Sequence, residues 1–258
     1  MTQSKMPDED LSQIVAALRH PSAEVRADAC FRLEAIRDPS TVDALIEVLR
    51  NPGEAPPVRE TAAGALEAIA TPRVVTRLIE VMREAKANDW LTVFSLAALG
   101  EMAYDSLMAV LLDRTDSGRA HAATALGLIG DQRAVGALLD ALQDQDPVLR
   151  SRAAVALGRL EAEQAFDSLV NALHDPKVHV RCDAMWALSE LRNQRALGLL
   201  IRALRDPSRF IRQQAAECLG EMGNPQALPE LQRLALNEKQ RRVKQAAWQA
   251  IDLLEREA

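Results

Sequence analysis

The sequence contains few aromatic residues: four Phe, three Trp and one Tyr among 258 residues. Its three cysteines, Cys30, Cys182 and Cys218, are odd in number and far apart, which argues against a disulfide framework or a CxxC metal site. That cysteine usage predicts a reducing, cytoplasmic location. No apolar run approaches the roughly 18 residues that a membrane span needs, so membrane insertion is not expected.

The sequence also lacks strand-forming runs and an excess of basic residues. Ala, Leu, Glu and Arg dominate instead of β-branched and aromatic runs, a composition that favours helices. The 31 basic and 37 acidic residues give a formal charge of −6, which disfavours a general nucleic-acid binder because such a protein needs a basic footprint. Residues 1–10 form a predicted polar tail without the apolar stretch of a secretory signal.

The chain is built from an internal repeat. A basic residue or its equivalent marks each copy, with spacings of 33, 33, 27, 31, 31, 31 and 32 residues, and we use it as the anchor of the register. The eight anchors are Arg26, Arg59, Thr92, Arg119, Arg150, Arg181, Arg212 and Lys244. A second segment type, such as AVGALLDAL and ALGLLIRAL, alternates with the anchored segments. The pattern predicts about eight two-helix repeats.

The anchored segments carry one apolar stripe at the third, seventh and tenth positions after the anchor, a spacing typical of one face of an α-helix. Small residues, mostly Ala, occupy the third position, and Leu or Ile occupies the seventh. Pro147, Pro176 and Pro207 precede second helices, and Gly130 and Gly223 follow others. Because one repeat cannot bury its own stripe, neighbours must stack, so the sequence predicts an all-α solenoid over residues 11–255.

The best copies, residues 144–160 and 175–191, have the form DP-x-V-R-x-x-A-A-x-A-L-G. This sequence resembles HEAT-like repeats of the phycobilisome (PBS) lyase type. The resemblance implies a right-handed α-α superhelix and, as one possible function, a bilin lyase subunit or related phycobilisome assembly or degradation factor. Such a factor would bind a tetrapyrrole, a bilin, together with its apoprotein. The shared motif is architectural, so the resemblance assigns no catalytic residue.

No catalytic or metal motif accompanies the repeats. The sequence lacks a Gly-rich phosphate loop, a GxSxG elbow and HExxH. Deoxyhypusine hydroxylases are HEAT-like and use His-Glu pairs for iron, but none of the four histidines here is followed by Glu. We therefore predict no metal, no cofactor outside the bilin alternative and no catalytic residues, and we leave an enzymatic role open.

An acidic residue lies six positions before several anchors, at the turn between the two helices of a repeat. We interpret these pairs as an ionic ladder that ties each turn together and to the next repeat; a charged binding strip is the alternative. The predicted ladder consists of Asp113, Arg119, Asp144, Arg150, Asp175, Arg181, Asp206 and Arg212. Repeat 1 has His20 and repeat 2 has Asn51 where the acid should stand.

The pattern is irregular around repeat 3. Thr92 replaces the anchor Arg, the turn at residues 84–90 is long, and the next connection is about four residues short. We therefore predict a kink near residues 100–107 within a single solenoid rather than a domain boundary.

Five of the eight aromatics fall on the non-stripe positions of the second helices, where random placement would put about one. The resemblance implies that second helices line the concave side of the solenoid. We predict a partner-binding surface there; packing into irregular gaps is the alternative, above all for Trp90 and Phe94. The predicted residues are Phe31, Trp90, Phe94, His121, Arg152, His179, Asp183, Trp186, Glu190, Phe210, Gln214 and Glu217. Phe166 and Trp248 are predicted to pack in the core.

The same positions carry eight acids against three bases, a net charge of −5. An acidic surface with aromatic anchors suits a protein or peptide partner with a basic, amphipathic segment and repels a phosphate backbone. The predicted function is thus a non-enzymatic interaction scaffold or adaptor, with the bilin-binding factor as the alternative. Cys182, predicted on this surface near His179, is a further candidate as a thiol ligand or transient attachment point.

Overall fold

The computed structural model describes residues 10–84 and 90–256. The described residues form helix pairs, and the first helices of the pairs are α1 Leu11–Ala17, α3 Val42–Arg50, α5 Pro72–Glu84, α7 Glu101–Leu112, α9 Val135–Ala141, α11 Phe166–Ala172, α13 Gln194–Ala203 and α15 Leu228–Asn237. The second helices are α2 Ala23–Ile36, α4 Pro56–Ile69, α6 Trp90–Ala98, α8 Arg119–Ile129, α10 Pro147–Arg159, α12 Val178–Glu190, α14 Arg209–Glu221 and α16 Arg241–Arg256. No strand occurs in the described parts of the chain, so the predicted all-α solenoid is confirmed.

Four short 3₁₀ turns lead into first helices, at Pro39–Thr41, Gln132–Ala134, Glu163–Ala165 and Pro225–Ala227. Three of them begin with a capping residue, Asp38, Asp131 or Asn224. The side chain of each accepts a hydrogen bond from the backbone N–H two residues later. Such caps satisfy amide groups that the start of a helix leaves without a partner. The glycines predicted as helix stops, Gly130 and Gly223, have φ angles of 81° and 67°, which is the left-handed conformation that ends a helix.

The chain divides into two compact units, Met1–Ala125 and Leu126–Ala258. In the first unit α2 packs on α4 and α4 on α6; in the second, α10 packs on α12, α12 on α14 and α14 on α16. First helices pack against the second helix of their own repeat, as α3 does on α4 and α15 on α16. Within each unit, second helices therefore form one layer and first helices the other.

Small residues let second helices approach closely in the second unit. A Cβ atom added to Gly127, Gly158 or Gly220 would lie only 2.6 to 2.8 Å from Ala156, Ala187 or Ala250 of the next second helix. Each of these contacts joins the eighth position after one anchor to the sixth position after the next anchor. The close approach explains why the repeat carries Gly and Ala where a core elsewhere would carry larger residues.

The apolar stripe is buried in most repeats, but repeat 3 and the first repeat depart from it. All eight residues at the third position are buried, as are Leu33, Leu126 and Leu219 at the seventh. Leu99 is only partly buried, and Ile36 and Met102 at the tenth position are exposed. Their predicted burial was wrong. Ile36 is the last residue of α2, and α6 is only nine residues long and ends at Ala98, so Met102 falls on α7 instead of the helix that carries the stripe.

The expected kink near residues 100–107 stays a prediction. The short α6 ends before Gly100, which has a φ angle of 53° and directly precedes α7. The irregularity of repeat 3 is thus local to this helix pair in the first unit. Among the described residues, no helix is long and apolar enough to cross a membrane.

Candidate functional site

The ladder residues lie along the edge where each first helix turns into its second helix. Arg150 donates from Nε and Nη2 to the two carboxylate oxygens of Asp175, at 2.7 and 3.0 Å, so this ion pair joins one repeat to the next. Its Nη1 donates to the backbone carbonyl of Asp144, 2.8 Å away. Arg212 combines the same two kinds of contact, with the Glu238 carboxylate at 2.7 Å and the Asp206 carbonyl at 2.8 Å. The carboxylate partner thus comes from the next repeat, and the acid of the same repeat offers its main chain.

The aspartates of the ladder also shape their own turns. Asp113, Asp144, Asp175 and Asp206 each accept, through Oδ1, the backbone N–H two residues on, at 2.7 to 2.9 Å. This turn explains why Asp rather than Glu recurs at the position, since the short side chain reaches the nearby amide.

Two predicted ladder arginines lie differently. Arg181 donates to the carbonyl of Asp175 at 2.8 Å, but within the described residues it forms no ion pair with a carboxylate, Asp206 included. Arg119 donates from Nε to the carbonyl of Leu111 at 3.0 Å.

Further rungs come from residues that the spacing rule missed. In repeat 1, Arg26 binds both carboxylate oxygens of Glu54, at 2.8 and 2.6 Å. Glu54 lies in the longer turn that follows Asn51, so the extra residues supply the acid that Asn51 lacks. Near repeat 3, Arg83 at the end of α5 binds Asp116 at 2.6 and 2.8 Å. The sequence signal that could have identified Glu54 is an acidic residue within an unusually long turn.

The predicted partner-binding residues fall into two groups by exposure. Phe31, Phe94, His179, Glu190 and Phe210 are exposed, and Trp90, His121, Arg152, Asp183, Trp186, Gln214 and Glu217 are partly buried. Four of them lie in the first unit, on α2, α6 and α8, and eight lie in the second, on α10, α12 and α14.

The aromatic side chains differ in their surroundings. Phe210 is exposed, and the Arg209 guanidinium lies 4.9 Å from its ring centroid. Trp186 leans on the preceding second helix, where its Cζ3 would lie 3.0 Å from a Cβ atom on Gly158. In the first unit the Trp90 ring meets His121 edge to face, with centroids 6.3 Å apart and an interplanar angle of 67°. Trp90 and Trp186 are thus partly packed, whereas the three phenylalanines offer free ring surface.

Of the two aromatics predicted to pack in the core, only one does. Phe166 is buried, with the Arg195 guanidinium 4.2 Å from its ring centroid. Trp248 is 47% exposed, so its predicted burial was wrong. Its position in the repeat is buried elsewhere by the following second helix, and no described residue covers it here.

Carboxylates gather between α12 and α14 in the second unit. Burial, together with the nearby charges of Glu190 and Glu217, raises the pKa of Glu221. Burial likewise raises the pKa of Asp183, which accepts a hydrogen bond from the Ser151 hydroxyl of α10. We call Asp183, Glu190, Glu217 and Glu221 the acidic patch. Like charges this close disfavour ionisation of one another, so a cation placed among them is favoured.

The three glutamates of the acidic patch are not neutralised by ion pairs. No described Lys, Arg or His lies within 4.0 Å of a carboxylate oxygen of Glu190, Glu217 or Glu221. Glu217 instead accepts a hydrogen bond from the Gln213 amide at 2.9 Å. Two acids on first helices, by contrast, pair with arginines: Asp167 with Arg195 and Glu230 with Arg205. The charge of the patch is therefore available to a partner.

The cysteines show no reactive environment. Cys30 and Cys218 are buried, and Cys182 is half-buried on α12. Burial, followed by the charge of Asp183, raises the pKa of the Cys182 thiol to about 11. A thiol with that pKa is protonated near neutral pH and reacts slowly, which disfavours Cys182 as an attachment point. No cluster of three His, Cys, Asp or Glu residues suited to a metal occurs within the described residues.

Clefts open along the ladder edge. One of about 600 Å³ is lined by Arg212, Glu230 and Lys239 among others, and one of about 490 Å³ by His20, Arg26 and Glu54 among others. A third, of about 370 Å³, adjoins Asp175. None of the twelve predicted partner-binding residues lines these three clefts.

The sequence pattern of HEAT repeats matches residues 11–97, 104–181 and 166–252. The structure is similar to the karyopherin Kap121p bound to the extreme C-terminus of the protein phosphatase Cdc14p, with a TM-score of 0.69 and 12% identity; the match covers 95% of this chain and 33% of that one. No curated protein matches the sequence significantly.

Two further solved structures align with most of this chain at lower similarity. They are the complex of CpcE and CpcF of phycocyanin lyase from Nostoc sp. PCC7120 (TM-score 0.37, 21% identity, 98% and 100% of the two chains) and human deoxyhypusine hydroxylase (TM-score 0.43, 22% identity, 95% and 84%). At these TM-scores neither supports a conclusion about function.

Proposed function

The chain belongs to the HEAT-repeat family, and on that premise we propose that it is a non-enzymatic interaction scaffold whose second-helix surface binds a protein or peptide. The partner has a basic, amphipathic segment, and the acidic patch with Trp186 and Phe210 receives it. The observation that carries the proposal is the set of three glutamates, on neighbouring helices, that no described basic residue neutralises.

Charge and apolar contact would act together at this surface. Lysine or arginine side chains of the partner would relieve the repulsion among Glu190, Glu217 and Glu221, and apolar residues would pack on the exposed Phe210 ring. The half-buried Trp186 supports the floor of the site because it is already held against Gly158. A rigid aromatic floor lowers the entropy that binding has to overcome.

The close stacking of second helices also supports the proposal. In a curved stack, the layer whose helices approach most closely lies on the inner side, and the Gly–Ala contacts place second helices at the limit of approach. HEAT repeats similar in fold hold a protein C-terminus in Kap121p. The bilin-binding alternative has no supporting observation at Cys182, whose thiol is half-buried with a raised pKa.

The test uses an 18-residue amphipathic helical peptide of Lys and Leu, with a Glu and Leu peptide of the same pattern as its counterpart. We expect the Lys peptide to bind, by fluorescence anisotropy, and the Glu peptide not to bind. The triple variant Glu190→Gln/Glu217→Gln/Glu221→Gln should weaken binding by about ten-fold or more, since it removes close charge pairs without changing side-chain size.

The matched control removes the same charge elsewhere in the second unit. Glu161→Gln/Glu163→Gln/Asp167→Asn changes three exposed acids on the first-helix side and should leave the affinity within about two-fold at moderate salt. Equal loss in both triple variants would mean that net charge alone attracts the peptide, and it would refute the proposed surface. Visible absorbance that appears on mixing the protein with a bilin would favour the alternative instead.

A further inference from the structure

Three consecutive second helices of the second unit each end in a charged residue at the ninth position after the anchor. These residues are Arg159 on α10, Glu190 on α12 and Glu221 on α14, and all three are exposed. Within the described residues, no ion pair joins Arg159 to Glu190 or to any other acid. We call Arg159, Glu190 and Glu221 the charge row, which in chain order carries one positive and two negative charges.

The charge row is continuous because the three helices stack in one register. The eighth position after one anchor meets the sixth position after the next. Gly158 of α10 thus lies against Ala187 of α12, and the Ser189 side chain of α12 contacts that of Cys218 on α14. The ninth positions therefore follow one another from helix to helix. Neighbouring members of the row are separated by about one interaxial distance, roughly 8–10 Å.

The two acids of the charge row oppose the electrostatics of their own helices. The carbonyl end of a helix carries a partial negative charge, which favours a nearby cation and disfavours an anion. Arg159 meets this preference in the last turn of α10, whereas the last turns of α12 and α14 contain no basic residue and end in Glu190 and Glu221. A partner's cation at either glutamate would be attracted by the carboxylate and by the helix end together.

An apolar flank lies beside the charge row. Trp186 precedes Glu190 by four residues on α12, and Val155 precedes Arg159 by four residues on α10; both are partly buried. Residues four apart share one face of a helix. The apolar side of an amphipathic helix can therefore pack on Trp186 and Val155 while its charged side meets the row.

From this order of charges we propose that the surface selects an amphipathic helix that places an acidic side chain at Arg159 and basic side chains at Glu190 and Glu221. The inference rests on the proposed function and adds Arg159 as a residue that determines specificity. Residues seven apart in a helix lie about 10 Å apart on one face, which matches the spacing of the row. A partner with bases alone would bring one of them to Arg159, where like charges repel.

The experiment compares two helical peptides of equal composition and net charge. Both have about 19 residues and the same Leu stripe, and they differ only at three positions roughly seven residues apart, which are Glu, Lys, Lys in one and Lys, Glu, Lys in the other. The second order is symmetric, so the peptide cannot match the row by binding in the opposite direction. By fluorescence anisotropy at low salt, we expect the wild type to bind the Glu-Lys-Lys peptide about ten-fold more tightly, because two contacts change from repulsive to attractive.

The variant Arg159→Glu separates charge order from net charge. It makes the protein more acidic, so general attraction would strengthen the binding of both peptides, which are positively charged. Because the substitution sets a carboxylate against the peptide's Glu, we expect the Glu-Lys-Lys peptide to bind about five-fold more weakly and its preference over Lys-Glu-Lys to be lost.

Arg202→Glu is the matched control. Arg202 is also an exposed basic residue in the last turn of its helix, but that helix is α13 in the first-helix layer. The control should keep the ten-fold preference for Glu-Lys-Lys, and circular dichroism should show equal helix content in both variants.

The outcomes distinguish this inference from the proposed function. Equal affinity of the wild type for the two peptides, or an Arg159→Glu variant that binds the Glu-Lys-Lys peptide as tightly as the wild type does, would overturn the selection by charge order. The proposed function would still stand in that case if the Lys and Leu peptide binds and depends on Glu190, Glu217 and Glu221. Failure of every peptide to bind, the Lys and Leu peptide included, would overturn both.

Discussion

Removal of the Arg150 side chain tests whether the ladder stabilises the stack of repeats. The Arg150 and Asp175 side chains are only 13% and 9% exposed and are joined by two hydrogen bonds, and Arg150 also bonds the carbonyls of Asp144 and Gln145 at 2.8 and 3.0 Å. Arg150→Ala leaves a nearly buried carboxylate without its cation. We expect a loss of about 3 kcal/mol, at the lower end of the roughly 3–5 kcal/mol for breaking a buried pair.

The loss should appear as a fall in melting temperature of about 6–12 °C, followed by circular dichroism. Because a solenoid is stabilised repeat by repeat, hydrogen exchange should also accelerate first at the amides of α10 and α12. Arg195→Ala is the control, since Arg195 pairs with Asp167 at side-chain exposures of 65% and 83%. An exposed pair contributes about 1 kcal/mol or less.

The pH dependence supplies an independent check. Burial alone would raise the pKa of Asp175, but the Arg150 guanidinium and the Lys177 N–H outweigh it, and the net pKa is lowered from 3.8. A lowered carboxyl pKa contributes stability that is present above the unfolded pKa and is lost as the pH falls through the folded pKa. The difference between wild type and Arg150→Ala should therefore be full at pH 7 and shrink below about pH 4. The reasoning is refuted if Arg150→Ala melts at the same temperature as Arg195→Ala. It is also refuted if the stability difference between wild type and Arg150→Ala does not change with pH.

The remaining predictions concern packing, binding and reactivity. Gly158→Ala should lower the free energy of unfolding by about 1–3 kcal/mol in thermal melts, because the added Cβ would lie 2.7 Å from Ala187. Gly198→Ala, with open space around it in α13, should be neutral or stabilising by up to about 1 kcal/mol. Equal effects of the two substitutions would contradict the close-packing argument. Binding of the Lys and Leu peptide should weaken as the pH falls, beginning above the usual glutamate range, since burial and the charges of Glu190 and Glu217 raise the pKa of Glu221. If wild type and Glu221→Gln lose affinity over the same pH range, Glu221 does not have this role. Cys182 should react with a disulfide reagent at pH 7.5 at least about ten-fold more slowly than free cysteine, because its pKa of about 11 leaves little thiolate; fast labelling assigned to Cys182 by mass spectrometry would contradict this.

The acidic patch and the ladder use the same kinds of residues in opposite ways. At the ladder edge the carboxylates of Asp175 and Glu238 each bind an arginine that also donates to backbone carbonyls, so their charge is neutralised within the fold. On the second-helix layer the arginines that could neutralise Glu190 and Glu221 are absent from ion-pair distance within the described residues. On this difference, rather than on net charge, we base the proposal that the acidic patch binds a partner while the ladder is structural.

The sequence by itself determined the helical repeat, its register and the small-residue positions. These follow from local physics: a stripe of Ala, Leu and Ile at helical spacing can be buried only by an adjacent copy, and an Asp two residues before a backbone amide caps its turn. The aspartates at 113, 144, 175 and 206 take that geometry in every case.

Only the tertiary structure decided which residues meet across repeats. Spacing paired Arg150 with Asp144, but stacking brings the Asp175 carboxylate to it and leaves Asp144 its carbonyl. Spacing also marked Asn51 as a missing acid, whereas Glu54 reaches Arg26 from a longer turn. Trp248 occupies a core position by register yet is exposed, because burial at that position depends on a following helix pair and not on the helix itself. Contacts within a turn can be read from the chain, but contacts between repeats depend on how neighbouring helices stack.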